Sequence, residues 1–172
     1  MQTNGVVLTR FEPHHQAAAR HLILEGLAEH WGSLDPAFNR NLADIAQSCR
    51  EGIFLLAWID DRLIGTGALV PESEGVVRIV RMSVEKTVRR QGVGKLILAK
   101  LLECAREQSI LKIVLETTAT WDDAIAFYKR AGFRPIEVRD GDLHFELDLS
   151  GEVAALESGF KNPDDYQSLL ET

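Results

Sequence analysis

The stretch Val76–Ala105 reads VVRIVRMSVEKTVRRQGVGKLILAKLLECA and carries three structural signals in succession. Its first part, up to Val84, is rich in β-branched side chains, which favour a strand over a helix. The basic segment Arg89–Gly94 follows and contains two glycines, which is typical of a turn. From Val93 onward the apolar residues recur at helical spacing, so the sequence predicts an amphipathic helix. The predicted apolar stripe of that helix comprises Val93, Ile97, Leu101, Cys104 and Ala105.

A strand, a glycine-bearing turn and a helix in this order can form an anion-binding site. The first N–H groups of a helix have no partners within the helix, and the helix dipole adds positive character there. Gly92 and Gly94 lack the Cβ that would keep an anion away from the backbone, and Arg89 and Arg90 add positive charge. The alternative is an ordinary strand-to-helix loop that needs its glycines only to turn.

Two well-known phosphate loops do not fit this sequence. The Walker loop needs a glycine five residues before its Gly-Lys pair and a hydroxyl residue after it, but Arg89 and Leu96 occupy those positions. The dinucleotide fingerprint needs a third glycine, which the segment 93–97 does not contain. The remaining pattern, Arg-x-x-Gly-x-Gly, resembles the acetyl-CoA diphosphate loop of the GNAT superfamily of N-acyltransferases.

Length, composition and charge narrow the class of protein. The 172 residues predict one globular domain, residues 1–149, followed by an acidic tail, residues 150–172. The net charge of −7 argues against a nucleic-acid partner. No apolar run is long enough to span a membrane, and residues 1–5 lack the features of a signal peptide, so we expect a cytoplasmic protein without membrane partners.

The cysteines and the tail give weaker signals. Cys49 and Cys104 each lie in a predicted helix and are far from any Cys-x-x-Cys spacing, which predicts two buried free thiols and no metal site. In the tail, residues 153–156 could form a short helix before Pro163. The tail could pack on the domain, stay mobile or support self-association, so a homodimer is compatible with the sequence.

Hydrophobic periodicity predicts the order β-α-α-β-β-β-α-β-α-β-β, an α/β fold with a mixed sheet. The first helix is predicted over His14–Glu29 with Ala18, Leu22 and Ile23 on its apolar face. Asp35 and Pro36 are typical of a helix start and predict a second helix to Arg50. The further predictions are strands at Val6–Phe11, Ile53–Ile59, Leu63–Val70, Val76–Val84, Lys112–Thr118, Phe133–Val138 and Leu143–Leu149, a turn at Pro71–Gly75, and a helix at Trp121–Arg130 ending at Gly132.

A second motif makes the resemblance specific. The segment Trp121–Phe133 reads WDDAIAFYKRAGF and is similar to the GNAT hallmark Asn-x-x-Ala-x-x-Phe-Tyr-x-x-x-Gly-Phe. Both motifs and the element order agree with the GNAT fold. One departure is Trp121, which stands where the family often has an asparagine that bonds the pantetheine arm. An indole offers only one N–H donor, so Trp121 either stacks on the cofactor or packs at the helix start.

The resemblance implies that acetyl-CoA is the acyl donor and assigns its binding residues. The end of the strand before the loop would hold the thioester, with backbone N–H groups that polarise its carbonyl. The N–H groups of Gln91–Lys95 would hold the diphosphate, and Trp121 and Phe127 would line the cofactor. The full predicted cofactor set is Met82, Ser83, Val84, Arg89, Arg90, Gln91, Gly92, Val93, Gly94, Lys95, Trp121 and Phe127.

The resemblance also implies the catalytic groups. Tyr128 would act as the general acid that protonates the departing thiolate, or would only anchor the sulfur. Related enzymes often carry a glutamate as base in the strand before the loop, where this chain has Val77 and Arg78. Glu116 on the neighbouring strand is the best remaining base. It could equally be a solvated or salt-bridged strand residue. Glu74, Glu85 and Glu25 are weaker candidates, and an ordered water chain could take the place of a carboxylate base.

The predictions for the acceptor site rest on two residues, Arg81 and Trp31. Strand alternation places Arg78, Val80 and Met82 on one face and Val77, Ile79, Arg81 and Ser83 on the other. A buried arginine is costly unless it is paired, so Arg81 is predicted to bind a carboxylate of the substrate or of the site. Trp31, in the connection after the first helix, is predicted to line the acceptor site. The expected activity is acetylation of a small-molecule or amino-acid-like amine, and the alternative is a non-catalytic acyl-CoA-binding module.

Overall fold

The computed structural model describes residues 5–34 and 40–151 and contains one mixed sheet of seven strands. The predicted element order and the α/β class are confirmed. Three-residue 3₁₀ turns lie at Pro13–His15 and Lys86–Val88. The elements are β1 Val6–Arg10, α1 Gln16–Trp31, α2 Ile45–Ser48, β2 Ile53–Ile59, β3 Arg62–Ser73, β4 Val76–Val84, α3 Val93–Glu107, β5 Lys112–Thr118, α4 Asp122–Arg130, β6 Arg134–Arg139 and β7 Asp142–Asp148. The strands lie in the sheet in the order β1-β2-β3-β4-β5-β7-β6.

The chain divides into two compact units that interleave along the sequence. The first unit comprises residues 1–70 and 79–103, and the second comprises residues 71–78 and 104–172. In the first unit, β1 pairs antiparallel with β2, and β2 pairs antiparallel with β3. In the second unit, residues 76–78 of β4 pair parallel with residues 112–114 of β5, and β7 lies between β5 and β6 with antiparallel pairing on both sides.

Each unit has its own buried side chains. In the first unit a cluster joins α1, the region of α2 and one face of β2 and β3. Its buried members are Ala19, Ile23, Leu42, Ile45, Phe54, Leu56 and Ala68. In the second unit, buried residues lie on β5, α4 and β7, directly after α4 and β7, and on the parts of β4 and α3 that belong to this unit. They include Ile113, Leu115, Tyr128, Phe133, Phe145 and Leu149.

The helical predictions before β2 need three corrections. The first helix begins at Gln16, because Pro13–His15 forms a 3₁₀ turn, and it continues to Trp31. Its apolar face contains Ala19 instead of Ala18, which is exposed. The predicted helix to Arg50 is wrong in its described part, because α2 has only four residues and the Asp44 carboxylate caps it by accepting from the Gln47 N–H. The predicted start at Asp35 lies outside the described residues.

The remaining differences concern the ends of elements. β3 continues to Ser73, so the predicted turn over 71–75 shrinks to the residues just before β4. Helix α3 carries the predicted stripe, and its buried face also includes Leu98. Both cysteines are free thiols, as predicted, and Cys104 is buried. Cys49 is only partly buried and lies just after α2 instead of within it. The tail prediction beyond Gly151 lies outside the described residues.

Candidate acyl-CoA and catalytic residues

The backbone of β4 is irregular at Arg81, directly before the residues predicted to hold the thioester. Arg81 has a left-handed backbone with φ of 57°, which is rare for a residue with a side chain. The buried Thr66 hydroxyl donates to the Arg81 carbonyl at 2.7 Å and supports this conformation from β3. Such a backbone is typical of a β-bulge, which re-aims the side chains that follow it.

This irregularity overturns the predicted alternation of side chains. Val80 packs against the cluster that contains Ala68, whereas Met82 lies against Gly67, the preceding residue on β3. Neighbouring residues on a strand point to opposite faces, so Val80 and Met82 lie on different faces of the sheet. The prediction that they share a face is therefore wrong, and the cause is the left-handed residue between them.

Two glycines of β3 let α3 approach the sheet closely. A Cβ at Gly65 would lie 2.7 Å from Cδ1 of Ile97 and 3.1 Å from Cγ1 of Val93. A Cβ at Gly67 would lie 2.5 Å from the Met82 sulfur and 2.6 Å from Cγ2 of Ile97. The side chains of α3 thus occupy the space that β3 side chains would fill. This close packing fixes where α3 begins and positions the loop before it.

The loop before α3 contains two residues with a left-handed backbone. Arg90 and Gly92 have positive φ values of 62° and 91°. The Gly92 carbonyl accepts from the Leu96 N–H at 2.9 Å, which closes the first turn of the helix. In that geometry the N–H groups of the first helical residues, 93–95, have no acceptor within the helix. The Gln91 side chain donates to the Thr87 carbonyl at 3.2 Å and holds the loop to the preceding turn.

Arg89 contacts two groups of the first unit. Its Nε donates to the Val84 carbonyl at 2.9 Å, and its Nη1 lies 2.7 Å from a carboxylate oxygen of Glu29 on α1. Arg89 and its two partners, Val84 and Glu29, line a cavity of about 500 Å³ between α1 and the end of β4. The cavity is lined by Leu22, Glu25, Gly26, Ala28, Glu29, Val84, Glu85, Lys86 and Arg89. Val84 and Arg89, both predicted to contact acetyl-CoA, therefore share a cavity wall with Glu29.

The guanidinium of Arg81 is half-buried beside Asn41 and Cys49. Asn41 accepts a hydrogen bond from Arg81 through its side-chain oxygen. Burial lowers the pKa of Arg81, and the nearby Cys49 opposes that change. Burial likewise raises the pKa of the Cys49 thiol, and the charge of Arg81 opposes the rise. Trp31, the other predicted acceptor residue, ends α1 with 54% of its surface exposed and contacts the His30 ring at 5.1 Å.

Tyr128 is anchored by the way α4 ends. Gly132 has a φ of 92°, its N–H donates to the Lys129 carbonyl, and the Phe133 N–H donates to the Tyr128 carbonyl, both at 3.1 Å. This pattern is the Schellman motif, in which a glycine follows the helix and an apolar residue packs back on its last turn. The Phe133 ring meets the Tyr128 ring edge-on with centroids 5.8 Å apart. The spacing Tyr-x-x-x-Gly-Phe is thus a helix terminus that fixes the tyrosine.

The ring of Tyr128 lies within an aromatic cluster of the second unit. Phe127 and Phe145 contact it at centroid distances of 5.1 and 6.0 Å. Only 7% of the residue is exposed, and this burial raises the pKa of the Tyr128 phenol. The phenol therefore keeps its proton throughout the neutral and mildly alkaline range.

Glu116, the predicted base, is an ion-pair partner of Arg78. Arg78 bonds Glu116 with one terminal nitrogen and grips Glu72 with two further nitrogens at 2.7 and 2.8 Å. The hydrogen bonds from Arg78 lower the pKa of Glu72. This ion pair occupies at least one carboxylate oxygen of Glu116 and agrees with the alternative that Glu116 is a salt-bridged strand residue. Its catalytic role stays a prediction.

Trp121 stands at the start of α4. Its N–H donates to the Thr118 carbonyl at 2.9 Å, and its own carbonyl accepts from the Ile125 N–H at 3.0 Å, so its backbone ends one segment and begins the helix. It is the residue before the first helical position, instead of the first helical residue that the sequence predicted. Trp121 and Phe127 are both half-buried.

The predicted site residues thus form two groups, one in each unit. The first unit brings Val84 and Arg89 to one cavity, and the second brings Phe127 and Tyr128 into ring contact. Sequence reasoning missed Glu29, Asn41 and Glu72 as partners of the three arginines. Glu29 and Asn41 lie 60 and 40 residues from the arginines they contact, and no local pattern indicates such pairs. Glu72 lies only six residues from Arg78, so its position beside a basic strand was a usable signal.

Comparison with known proteins identifies the family. Residues 17–133 match the Acetyltransferase (GNAT) family, and the chain belongs to that family. The IAA acetyltransferase of Azospirillum brasilense is 29% identical over 75% of this chain and 84% of its own length. The human N-acetylaspartate synthetase is 32% identical over 62% of this chain, but the match spans only 37% of that protein.

Solved structures agree on the fold. A GNAT acetyltransferase from Staphylococcus aureus Mu50 superposes with a TM-score of 0.77 at 22% identity, covering 84% of this chain and 99% of that one. The PaiA N-acetyltransferase of Thermoplasma acidophilum, solved with coenzyme A, gives a TM-score of 0.74 at 16% identity, covering 83% of this chain and 98% of that one.

Within the described residues, no group of three potential ligands is placed to hold a metal ion, and no helix is long and apolar enough to cross a membrane.

Proposed function

We propose that this protein is an N-acetyltransferase that transfers the acetyl group of acetyl-CoA to a primary amine within a ternary complex. The observation that carries the proposal is the loop at Arg89–Lys95, in a chain of the GNAT family. The loop has left-handed backbones at Arg90 and Gly92 and leads into helical N–H groups that have no acceptor within the helix. Residues 1–149 would form the acetyltransferase domain, with residues 150–172 as an acidic tail. A cytoplasmic location and a homodimer are parts of the proposal that need separate tests.

Donor binding would use the backbone more than the side chains. The N–H groups of Gln91–Lys95 would hold the diphosphate, and Arg89 and Arg90 would supply charge. The pantetheine amides would pair with Met82–Val84, which lie beyond the part of β4 that pairs with β5. A backbone N–H there would polarise the thioester carbonyl as negative charge develops on its oxygen. Trp121 and Phe127 would pack against the cofactor.

The chemistry forms one bond and breaks another. The neutral amine attacks the thioester carbonyl, the C–N bond forms, and the C–S bond then breaks with its electron pair going to sulfur. Tyr128 would donate its proton to that sulfur, while a base takes the proton that the amine nitrogen loses. Because burial raises the pKa of Tyr128, the phenol is available in its protonated form but is a weaker acid than free tyrosine. An anchoring role, in which Tyr128 only donates a hydrogen bond to sulfur, is therefore the second interpretation.

A pair of variants tests the two proton-transfer roles. Loss of a general acid or base lowers kcat by about 100-fold or more, so Tyr128→Phe should do so at unchanged melting temperature. Glu116→Gln should lower kcat similarly if Glu116 is the base. A kcat within twofold of wild type would assign Glu116 to its ion pair with Arg78 and leave deprotonation to a water chain.

The acceptor would carry a carboxylate as well as an amine. The half-buried guanidinium of Arg81 donates a hydrogen bond to Asn41, which orients it. In the sequence, Arg81 directly precedes the residues proposed to hold the thioester. The name of the human relative specifies an aspartate-derived product, which fits an acidic acceptor. Arg81→Ala should raise the acceptor KM strongly and leave the acetyl-CoA KM unchanged, with Arg81→Lys intermediate. An unchanged acceptor KM would refute this assignment.

An amine panel scored by acetyl-CoA-dependent thiol release tests the function as a whole. The panel should include amino acids, polyamines, aminoglycosides and peptide N-termini, and amino acids should react best. The alternative is a non-catalytic acyl-CoA-binding module. It would be supported if coenzyme A binds but no amine releases thiol.

A further inference from the structure

We propose that Glu29 is an internal competitor of the acetyl-CoA diphosphate for Arg89. This inference rests on the proposed function, because it concerns the binding of the same donor. Glu29 places its carboxylate 2.7 Å from Nη1 of Arg89, the arginine of the diphosphate loop. An anion of the protein itself thus engages the group that the ligand anion needs.

The geometry favours competition over support. Arg89 is already oriented by its second contact, in which Nε donates to the Val84 carbonyl at 2.9 Å. Glu29 is therefore not needed to aim the guanidinium. A diphosphate that takes the terminal nitrogens of Arg89 can leave the Nε contact intact, but it must displace the carboxylate or share Nη1 with it. Two anions at one guanidinium repel each other, so the Glu29 contact opposes donor binding.

The position of Glu29 on its helix strengthens this conflict. α1 ends at Trp31, so Glu29 lies in the last turn, where the helix dipole is negative and disfavours a carboxylate. Arg89 offsets that cost in the protein without donor. Once a diphosphate engages Arg89, Glu29 loses its compensating partner beside a second anion. Acetyl-CoA binding therefore has to include the cost of releasing Glu29 to water.

The size of the effect follows from exposure. The side chains of Arg89 and Glu29 are 39% and 33% exposed, so solvent screens the pair substantially. We expect Glu29→Gln, which keeps the shape and removes the charge, to lower the Kd for coenzyme A by about two- to fivefold. The change should weaken as salt concentration rises, because screening shortens the reach of both charges.

Titration calorimetry of coenzyme A and of pantetheine provides the test. Glu29→Gln should tighten coenzyme A and leave pantetheine, which has no diphosphate, unchanged. In an Arg89→Ala background the same substitution should change neither Kd. Glu25→Gln is the matched control, because Glu25 lines the same cavity one turn earlier but pairs with His21 at 3.2 Å.

Each contrary outcome has a defined meaning. A Kd for coenzyme A that is unchanged or weaker in Glu29→Gln would overturn the competition. An equal gain in Glu25→Gln, or a gain that persists without Arg89, would reduce the effect to general charge and overturn it too. Absence of coenzyme A binding in the wild type would instead remove the proposed function itself, and this inference with it.

Discussion

The close packing of α3 on β3 makes a quantitative prediction about one pair of residues. Gly65→Ala adds a methyl group 2.7 Å from Cδ1 of Ile97 and 3.1 Å from Cγ1 of Val93. Gly65 borders the register shift between β2 and β3, but its φ is not left-handed, so we attribute the cost to steric overlap. Overpacking of this kind costs about 1–3 kcal/mol, and two contacts with side-chain carbons place this case at about 1–2 kcal/mol. The melting temperature should fall by about 2–8 °C.

The prediction becomes specific in combination with Ile97→Val. Valine removes Cδ1, the atom nearest to the new methyl group, and alone should cost about 0.5–1.5 kcal/mol. In the double variant the added methyl fills the space that Cδ1 leaves, so the two costs should fall short of additivity by about 1 kcal/mol. Gly67→Ala is the control, because its new Cβ meets Cγ2 of Ile97 and the Met82 sulfur, and valine retains Cγ2.

Urea unfolding of the wild type, the three single variants and the two doubles measures these energies. We expect coupling between Gly65→Ala and Ile97→Val, and additivity between Gly67→Ala and Ile97→Val. Additivity in the first pair would refute the claim that the glycine makes room for Ile97. Equal coupling in both pairs would show that α3 shifts as a body instead.

Three further predictions concern α4, the buried phenol and the Arg78 cluster. Gly132→Ala should destabilise the protein by about 1–2 kcal/mol through backbone strain alone, because the nearest atom to the new Cβ, Cδ1 of Leu147, is 3.9 Å away. Gly132→Asn should cost less, because asparagine tolerates the left-handed backbone better. Equal unfolding free energies for the wild type and Gly132→Ala would contradict the Schellman assignment. Burial raises the pKa of Tyr128 in the folded state, so the unfolded chain releases that proton first and stability should fall above about pH 10. Tyr128→Phe should reduce this alkaline loss of stability. Identical pH–stability curves for the wild type and the variant would count against the burial of the phenol. Arg78 lowers the pKa of Glu72, so their contact stabilises the fold at neutral pH, and this stabilisation is lost as pH falls through the lowered pKa. Arg78→Ala should raise the pKa of Glu72 in an NMR titration. An unchanged pKa would show that Arg78 does not cause the lowering.

The fold was predictable where one local pattern dominates. β4 and α3 follow from β-branched runs and a continuous apolar stripe, and Gly132 marks the end of α4 because only a few residues accept its backbone. Asp35 and Pro36 are also strong local signals. They nonetheless predicted too much helix up to Arg50, because Asp44 caps a helix that begins only at Ile45 and ends at Ser48.

The candidate site was predictable from its motifs but not from its contacts. Arg89 and Tyr128 were found because their spacing resembles that of a known family. The left-handed backbone at Arg81 depends on Thr66 of another strand, and no sequence pattern at Arg81 indicates it. The pairing of Arg89 with Glu29 joins residues that only the folded chain brings together.

The central claim is that this chain binds acetyl-CoA through the loop that opens α3. Its most direct test is the unfolding free energy with and without coenzyme A, supported by calorimetric titration at one temperature. At a hundredfold excess over its Kd, coenzyme A should stabilise the protein by about 2.7 kcal/mol, with one molecule bound per chain. No stabilisation, together with no binding heat at millimolar coenzyme A, would contradict the account.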